Sequence, residues 1–363
     1  MMTVPVSLGD KSCEVLIGDG LLSAAGREAR ALFPKAKTCA VVTDSNVGPL
    51  YADAVCGSLR EAGIVPHLVT VPAGEPSKSF EALETVTREM ISNGLDRKAF
   101  LVALGGGVIG DLAGFAASVF FRGIPYIQIP TTIVSVVDSS VGGKTGINTP
   151  EGKNLIGTFH QPRRVLIDPQ TLRTLPAREY NEGFAEVVKH AAIRDGAMLP
   201  EIARASVNES REGLAPLIAR NVAIKAAIVS EDEFETKGLR ALLNFGHTIG
   251  HAIEASAGYG QLLHGEAISL GMRAALRLSE EFAGLLPADS VAILTLLAAF
   301  RLPLVLPETI TTEQIMEKLG RDKKFDQGAI RFVLLRGIGE AFVSEDVTRE
   351  AIVSAVEALR TIS

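Results

Sequence analysis

Between residues 100 and 162 the chain sets out a strand, a glycine turn, a helix and a second strand, an order that restricts the fold more than any other stretch. Phe100-Leu101-Val102-Ala103-Leu104 is an unbroken apolar run with strand character, and it breaks into Gly105-Gly106-Gly107-Val108-Ile109-Gly110-Asp111. Residues 112–121 read as a helix closed by Arg122-Gly123, and Ile127-Gln128-Ile129 as a strand stopping at Pro130-Thr131-Thr132. A βαβ unit of this kind leaves backbone N–H groups free at a helix start, where those donors and the helix dipole favour phosphate. Gly105, Gly107 and Gly110 hold the Gly-x-Gly-x-x-Gly spacing. Alone that is a weak sign, because glycine clusters also serve tight turns and close packing; its place between strand and helix strengthens it. Lys144 and Lys153 follow in glycine-rich surroundings, and each could reach an anion.

A chain of 363 residues suggests two domains or one large one, and 47% hydrophobic with 21% charged residues suits a compact enzyme. A net charge of −6 argues against non-specific nucleic-acid binding, so any anion site must be local. Cys13, Cys39 and Cys56 show no paired spacing and read as buried apolar residues, which fits a reducing compartment. No basic segment followed by a long apolar run opens the chain, and residues 291–300 are too short to span a bilayer. The expectation is a cytoplasmic globular protein with neither membrane nor nucleic acid as partner.

Before the glycine turn, strand-like runs (12–17, 38–43, 66–71) alternate with helical ones (21–32, 51–62, 79–93), which implies a largely parallel sheet. Polar segments at strand ends, around Asp44, Glu75 and Gly106, then share one edge that a single dinucleotide could touch. After a strand at 165–167 the pattern turns helical, over 179–194, 199–205, 213–230, 239–257, 264–283 and 288–300, before a strand at 330–335. The fold expected is an α/β Rossmann-like domain, 1–176, followed by a mainly helical domain, 177–363, with the active site in the cleft between them.

The helical half carries a second constellation. Glu186 and Lys189 lie one turn apart on one helix face, a pair that alone is more often a solvated ion pair than a site. His247 and His251 stand at i, i+4, and His264 follows beside a helix start. Spacing suggests a zinc-like centre of one carboxylate and two histidines, against core or capping histidines, and leaves open which of the three histidines would ligate.

Taken together, Gly106 to Asp111, Pro130-Thr131-Thr132, residues 137–145, Gly152-Lys153-Asn154-Leu155-Ile156-Gly157, Ala185 to Lys189 and residues 240–251 resemble the 3-dehydroquinate synthase family of the shikimate pathway, in order and over nearly the whole chain. The resemblance implies that Glu186, His247 and His264 ligate a divalent metal, zinc or cobalt, while His251 stays free to act in the pocket. It implies that NAD is held by Asp44, Asn46, Glu75, Lys78, Gly106, Gly107, Val108, Asp111, Thr131 and Thr132, with Lys144, Lys153 and the segment Thr171-Leu172-Arg173-Thr174. Substrate would meet Asp138, Lys144, Asn154, Lys189, Lys225, Glu235, Arg240, Asn244 and His251, and also Lys323, with Lys324 the alternative to it. Because the family is dimeric, Arg122 would reach the phosphate in the neighbouring subunit's site. Glu182 would lie near the nicotinamide.

The implied reaction turns 3-deoxy-D-arabino-heptulosonate 7-phosphate into 3-dehydroquinate and phosphate, the second step of chorismate and aromatic amino acid biosynthesis. It proceeds by transient oxidation, phosphate elimination, re-reduction, ring opening and intramolecular aldol closure, with NAD regenerated each turnover. An acidic chain that gathers Arg122, Lys144, Lys189, Lys225 and Arg240 around one pocket suits a substrate bearing both phosphate and carboxylate. The rivals are a sibling sugar-phosphate cyclase acting on a substrate such as sedoheptulose 7-phosphate, a metal-dependent NAD alcohol dehydrogenase, and a non-catalytic nucleotide-binding sensor. A dehydrogenase has no need of Lys144, Lys153, Asn154, Arg240 and Asn244 together.

Overall fold

In the computed structural model, which describes residues 1–258, 260–320 and 331–361, apolar strands and amphipathic helices alternate through the first half of the chain. The strands are β1 (Met2–Val6), β2 (Cys13–Ile17), β3 (Thr38–Asp44), β4 (Val65–Val71), β5 (Phe100–Gly105), β6 (Tyr126–Pro130), β7 (Lys144–Thr149), β8 (Gly152–Phe159) and β9 (Arg164–Ile167). Helices α1 (Leu21–Leu32), α2 (Gly48–Glu61), α3 (Phe80–Ser92) and α4 (Gly107–Val119) connect them. Then come α5 (Ala177–Arg194), α6 (Leu199–Ser206), α7 (Ala215–Glu231), α8 (His247–Ala257), α9 (His264–Ala283), α10 (Pro287–Ala299) and α11 (Thr312–Gly320). The ribbon β10 (Phe332–Leu335) and β11 (Ala341–Ser344) and helix α12 (Arg349–Glu357) complete the order.

These elements form two compact units, residues 1–175 with 212–234, and residues 176–211 with 235–363. The sequence placed 213–230 with the helical part. In the structure α7 packs on β1 within the first unit, where the Ser7 N–H donates to Ser230 Oγ at 3.0 Å. The cause is β1, a strand carrying Pro5 that the sequence pattern did not mark and that adds an edge for α7 to cover.

In the first unit seven strands run in the order β1-β2-β9-β6-β5-β3-β4. Every neighbouring pair is parallel except β1 with β2. Both faces are covered, so β5 reads as a continuous apolar run instead of alternating with polar residues. Its alternate residues feed two cores: Phe100, Val102 and Leu104 pack with α1 and α2, while Leu101 and Ala103 pack with α3 and α4. The glycine-rich stretch after β6 forms the separate antiparallel hairpin of β7 and β8.

In the second unit α8 and α9 pack closely over a core shared with α11, α12 and β10. The sequence suggested one helix over 239–257; instead a short 3₁₀ turn, Arg240–Asn244, precedes a break at Gly246, whose φ is +77°. A Cβ there would lie 2.6 Å from Met272 Cγ and 2.8 Å from Met272 N, so the backbone turns where α9 approaches. Among the described residues no helix is long and apolar enough to cross a membrane.

The three cysteines are buried and unpaired, as expected. Burial pushes all three thiols up, that of Cys13 to about 11. At pH 8 they should stay protonated and inaccessible, so a disulfide-forming thiol reagent should titrate three thiols only after denaturation. Rapid labelling of a native thiol would contradict this packing.

Candidate nucleotide edge and metal centre

Six parallel strands of the first unit end along one edge, at Ile17, Asp44, Val71, Gly105, Pro130 and Ile167. That edge is where open α/β sheets bind ligands. Just beyond it come most of the residues to which the resemblance gave nucleotide contacts. Asp44 Oδ1 accepts from the N–H groups of Asn46 (2.8 Å) and Val47 (3.0 Å), which folds the chain back after β3. After β4, Lys78 Nζ donates to Asp111 Oδ2 at 2.7 Å and to Asn154 Oδ1. Asn148 Nδ2 donates to Glu75 Oε1 at 2.8 Å, and Lys153 Nζ lies 3.8 Å from the same oxygen. Asn154, at φ +57°, donates its N–H to Asn148 Oδ1 at 2.9 Å. Three segments far apart in sequence thus share one polar network. Burial raises the Asp111 carboxyl, against the opposing pull of Lys78.

No side chain caps the N-terminus of α4, which starts at Gly107 directly after β5. Thr43 Oγ1 and Thr131 Oγ1, buried at the ends of β3 and β6, have no hydrogen-bond partner among the described residues. Open donors and orphaned hydroxyls on one edge fit a phosphate-bearing nucleotide. Not all three glycines serve that purpose. A Cβ on Gly110 would sit 2.2 Å from Gln128 Nε2, so this glycine lets α4 lie on β6, the packing role the sequence also allowed.

Beyond β9, Tyr51 Oη donates to Thr171 O at 3.1 Å and contacts Thr174 Oγ1; Leu172 is buried, and Arg173 pairs with Glu212 at 3.0 Å. Lys225, on α7, donates to Asp138 O (2.7 Å) and Oδ1 (2.6 Å). Lys144 opens β7 and is exposed. Arg122 stands apart. It follows the C-terminal end of α4, at φ +67°, and leads into the start of β6, so it lies at the opposite edge of the sheet from Gly106 and Thr132.

In the second unit a buried carboxylate gathers the histidines. Residues 183–193 of α5 are all buried, and Glu186 sits among them with no exposed surface. Its Oε2 accepts from Lys189 Nζ, so this pair is a buried one and not the solvated pair its spacing usually means. Its Oε1 has no hydrogen-bond partner by geometry, yet lies 3.3 Å from His247 Nε2 and 3.4 Å from His264 Nε2. Burial would raise the Glu186 carboxyl; Lys189, then His247, outweigh it and hold the group well below the usual carboxylate range. For His264 burial lowers the pKa, but the carboxylates of Glu186 and Glu254 raise it to about 10.

His251 joins His247 and His264 in a cluster whose nitrogens lie within 4.8 Å of one another. Two donor sets are therefore geometrically open, three histidines or Glu186 with two. A metal held by the three neutral rings would leave Glu186 Oε1 buried and unpaired, a costly outcome, so charge favours Glu186, His247 and His264. His251 is exposed at its surface, although enough protein surrounds it that desolvation, then His247 and His264, push its imidazole down. Glu235, at φ +59°, reaches Arg240 Nε at 3.5 Å, and Asn244 ends the 3₁₀ turn before Gly246. Lys323 and Lys324 lie outside the described residues.

Three carboxylates that carry no role in the sequence reading, or a different one, set the start of α9. Glu266 accepts the Leu263 N–H at 2.8 Å and a two-pronged contact from Arg178, both prongs at 2.7 Å. Glu254 meets His264 Nδ1 at 3.3 Å. Glu182, expected near the nicotinamide, accepts the Gly265 N–H at 2.6 Å, and a Cβ on Gly265 would lie 1.9 Å from Glu182 O. Burial first, with Glu186 and Glu266 adding to it, raises the Glu182 carboxyl from 4.5 to about 7. A raised acid stabilises the fold fully below the unfolded value and loses that contribution as pH climbs through the folded value. In metal-free protein, Glu182→Gln should match the parent near pH 4.5 and exceed it by on the order of 2 kcal/mol at pH 8. Urea midpoints across that range test this, and a constant difference would refute it.

The sequence matches the descriptions 3-dehydroquinate synthase N-terminal over residues 68–182 and 3-dehydroquinate synthase C-terminal over residues 183–325. The 3-dehydroquinate synthase of Caulobacter vibrioides is 48% identical over 359 residues, covering 96% of each chain. That of Geobacter metallireducens is 47% identical, covering 93% of this chain and 94% of the relative. Among solved structures, 2-epi-5-epi-valiolone synthase from Streptomyces hygroscopicus, with NAD+ and Zn2+ bound, superposes with a TM-score of 0.87 at 31% identity, covering 97% of this chain and 98% of that one. A 2-deoxy-scyllo-inosose synthase complexed with carbaglucose-6-phosphate, NAD+ and Co2+ gives 0.88 at 26%, covering 98% and 99%. An iron-containing alcohol dehydrogenase, at 16% identity and a TM-score of 0.65 over 96% and 97%, shares the fold alone. With both halves matched and relatives this similar end to end, the chain belongs to the 3-dehydroquinate synthase family.

Proposed function

We propose that this chain eliminates phosphate from 3-deoxy-D-arabino-heptulosonate 7-phosphate and closes the product ring to 3-dehydroquinate. The observation that carries this reading is the Glu186 cluster, a buried carboxylate with one oxygen on Lys189 and the other facing two imidazole nitrogens. The choice of substrate among cyclases is supported by the relatives, 43–48% identical for 3-dehydroquinate synthases against 26–31% for the structurally similar sibling cyclases.

Glu186, His247 and His264 would hold a zinc or cobalt ion, which supplies Lewis-acid charge to a substrate hydroxyl. Asp44, Asn46, Glu75, Lys78, Gly106, Gly107, Val108, Asp111, Thr131, Thr132, Lys153 and residues 171–174 would hold NAD, which accepts a hydride and returns it in the same turnover. The chain's own part is charge and orientation. Lys189 keeps Glu186 ionised, so the carboxylate remains an acceptor at neutral pH. Lys225 fixes the Asp138 carboxylate and its backbone oxygen from one ammonium, leaving Asp138 oriented for substrate hydroxyls. His251, held neutral at pH 7 and exposed, offers its imidazole as a hydrogen-bonding partner to substrate. Lys144, Asn154, Arg240 and Asn244 complete the polar contacts to phosphate and carboxylate, and Lys323 is assigned there by resemblance. Holding a flexible sugar phosphate in one conformation is a large share of the catalysis.

We further assign a homodimer in which Arg122 serves the partner's site; its place at the far edge of the sheet from the nucleotide residues supports this. Cytoplasmic location goes with buried free thiols and a soluble substrate.

The test is phosphate release from the heptulosonate by metal-loaded protein with NAD at catalytic amounts. Many turnovers per NAD, no net NADH absorbance and loss on chelation are expected. Stoichiometric NADH without phosphate would instead mean a dehydrogenase, and phosphate only from sedoheptulose 7-phosphate a sibling cyclase. Lys144→Ala should raise KM for the sugar phosphate about 10-fold or more while changing NAD affinity little, since it removes one charge-assisted contact. Equal losses for both ligands would move Lys144 to the cofactor.

A further inference from the structure

Helix α8 presents a third polar group on the face that carries its two histidines. Glu254 lies seven residues after His247 and three after His251, so its side chain returns to that face. It is 14% exposed, and its Oε2 lies 3.3 Å from Nδ1 of His264, the first residue of α9. The far nitrogen of the same ring, Nε2, lies 3.4 Å from Glu186 Oε1. His247 is arranged in parallel: Nδ1 is 3.1 Å from Phe245 O and Nε2 is 3.3 Å from Glu186 Oε1. Each ring therefore has Nδ1 against an acceptor and Nε2 turned to the same carboxylate oxygen.

The two acceptors differ in kind. His247 meets a neutral backbone carbonyl, fixed by the 3₁₀ turn that ends at Asn244. His264 meets a carboxylate. An acceptor on Nδ1–H keeps the proton on that nitrogen and leaves the lone pair on Nε2, and a negatively charged acceptor also makes Nε2 the better donor to a cation. His264 is also the more exposed of the two rings, 31% against 11%, so packing fixes it less and a polar partner matters more.

We propose that Glu254 is a positioning residue for the metal centre, holding His264 as an Nε2 donor and setting that ligand's share of the affinity. This rests on the reading of Glu186, His247 and His264 as the ligands. In that role Glu254 acts through His264.

Full-length Glu254→Ala, Glu254→Gln and His264→Ala test it by the apparent Zn2+ dissociation constant, from competition with a chromogenic chelator at fixed pH, and by the urea midpoint of each metal-free protein. Glu254→Ala should weaken Zn2+ binding about 10- to 100-fold, a larger loss than the fall in the metal-free midpoint that goes with losing the Glu254–His264 contact. Glu254→Gln should recover part of the loss, because an amide oxygen still accepts from Nδ1–H but carries no charge. Parental affinity in Glu254→Ala, or a loss matched by an equal fall in metal-free stability, would overturn the proposal. His264→Ala separates it from the ligand reading: parental Zn2+ affinity there would sink the ligand set itself, whereas metal loss in His264→Ala beside parental affinity in Glu254→Ala would sink only the role of Glu254. Should Glu254→Ala fail to fold, Glu254→Gln decides alone, a loss of about threefold or more supporting the role and parental affinity rejecting it.

Discussion

A carboxylate with no exposed surface sits at the centre of the second unit, and the neighbouring helices are arranged around its charge. Glu186 could not remain ionised there without compensation, because removing a carboxylate from water costs several kcal/mol. Lys189 satisfies one oxygen and two imidazoles face the other. This requires α5, α8 and α9 to approach closely, and glycines allow it: a Cβ on Gly271 would lie 2.0 Å from Gly246 O, as one on Gly265 would from Glu182 O at 1.9 Å. Backbone approach and buried charge are thus one constraint. A buried ion pair of this kind is weak evidence for stability.

The first unit meets anions by a different means. Its sheet brings the C-terminal ends of six parallel strands to one edge, where the loops carry side chains from widely separated positions. The network of Lys78, Asp111, Asn154, Asn148, Glu75 and Lys153 is held by hydrogen bonds between those loops. An overall charge of −6 would repel a phosphorylated, carboxylated sugar at long range, so recognition depends on cations concentrated locally.

Likeness in backbone does not settle chemistry within this group of proteins. Sibling cyclases superpose with TM-scores of 0.85–0.88 at 26–31% identity, and alcohol dehydrogenases with 0.61–0.65 at 16–17%. One scaffold therefore carries several reactions, and the side chains of the site discriminate among them. Identity of 43–48% over nearly the whole length separates this chain from both groups.

Local pattern determined much of this protein. The βαβ unit, the buried strands around it, the α/β half and the helical half all follow from the period of apolar residues, and the pairing of Glu186 with Lys189 from helical spacing. The motifs in order carried the family. What local pattern missed was decided by contacts between distant residues. The edge strand Met2–Val6 draws helix 215–231 into the first unit, and the helix read through 239–257 breaks at Gly246 because Met272 approaches it. Gly110 answers to Gln128 and Gly265 to Glu182, partners that spacing along the chain does not reveal. The metal centre divides in the same way. The intervals from His247 to His251 and Glu254 put three polar groups on one face of α8, but only the packing of α5, α8 and α9 turns two imidazole nitrogens to one carboxylate oxygen and sets Glu254 behind the second ring. A sequence prescribes which face of an element a residue occupies; what that face meets is decided when the chain closes over long separations, because the burial that stabilises each contact exists only once the other element is in place.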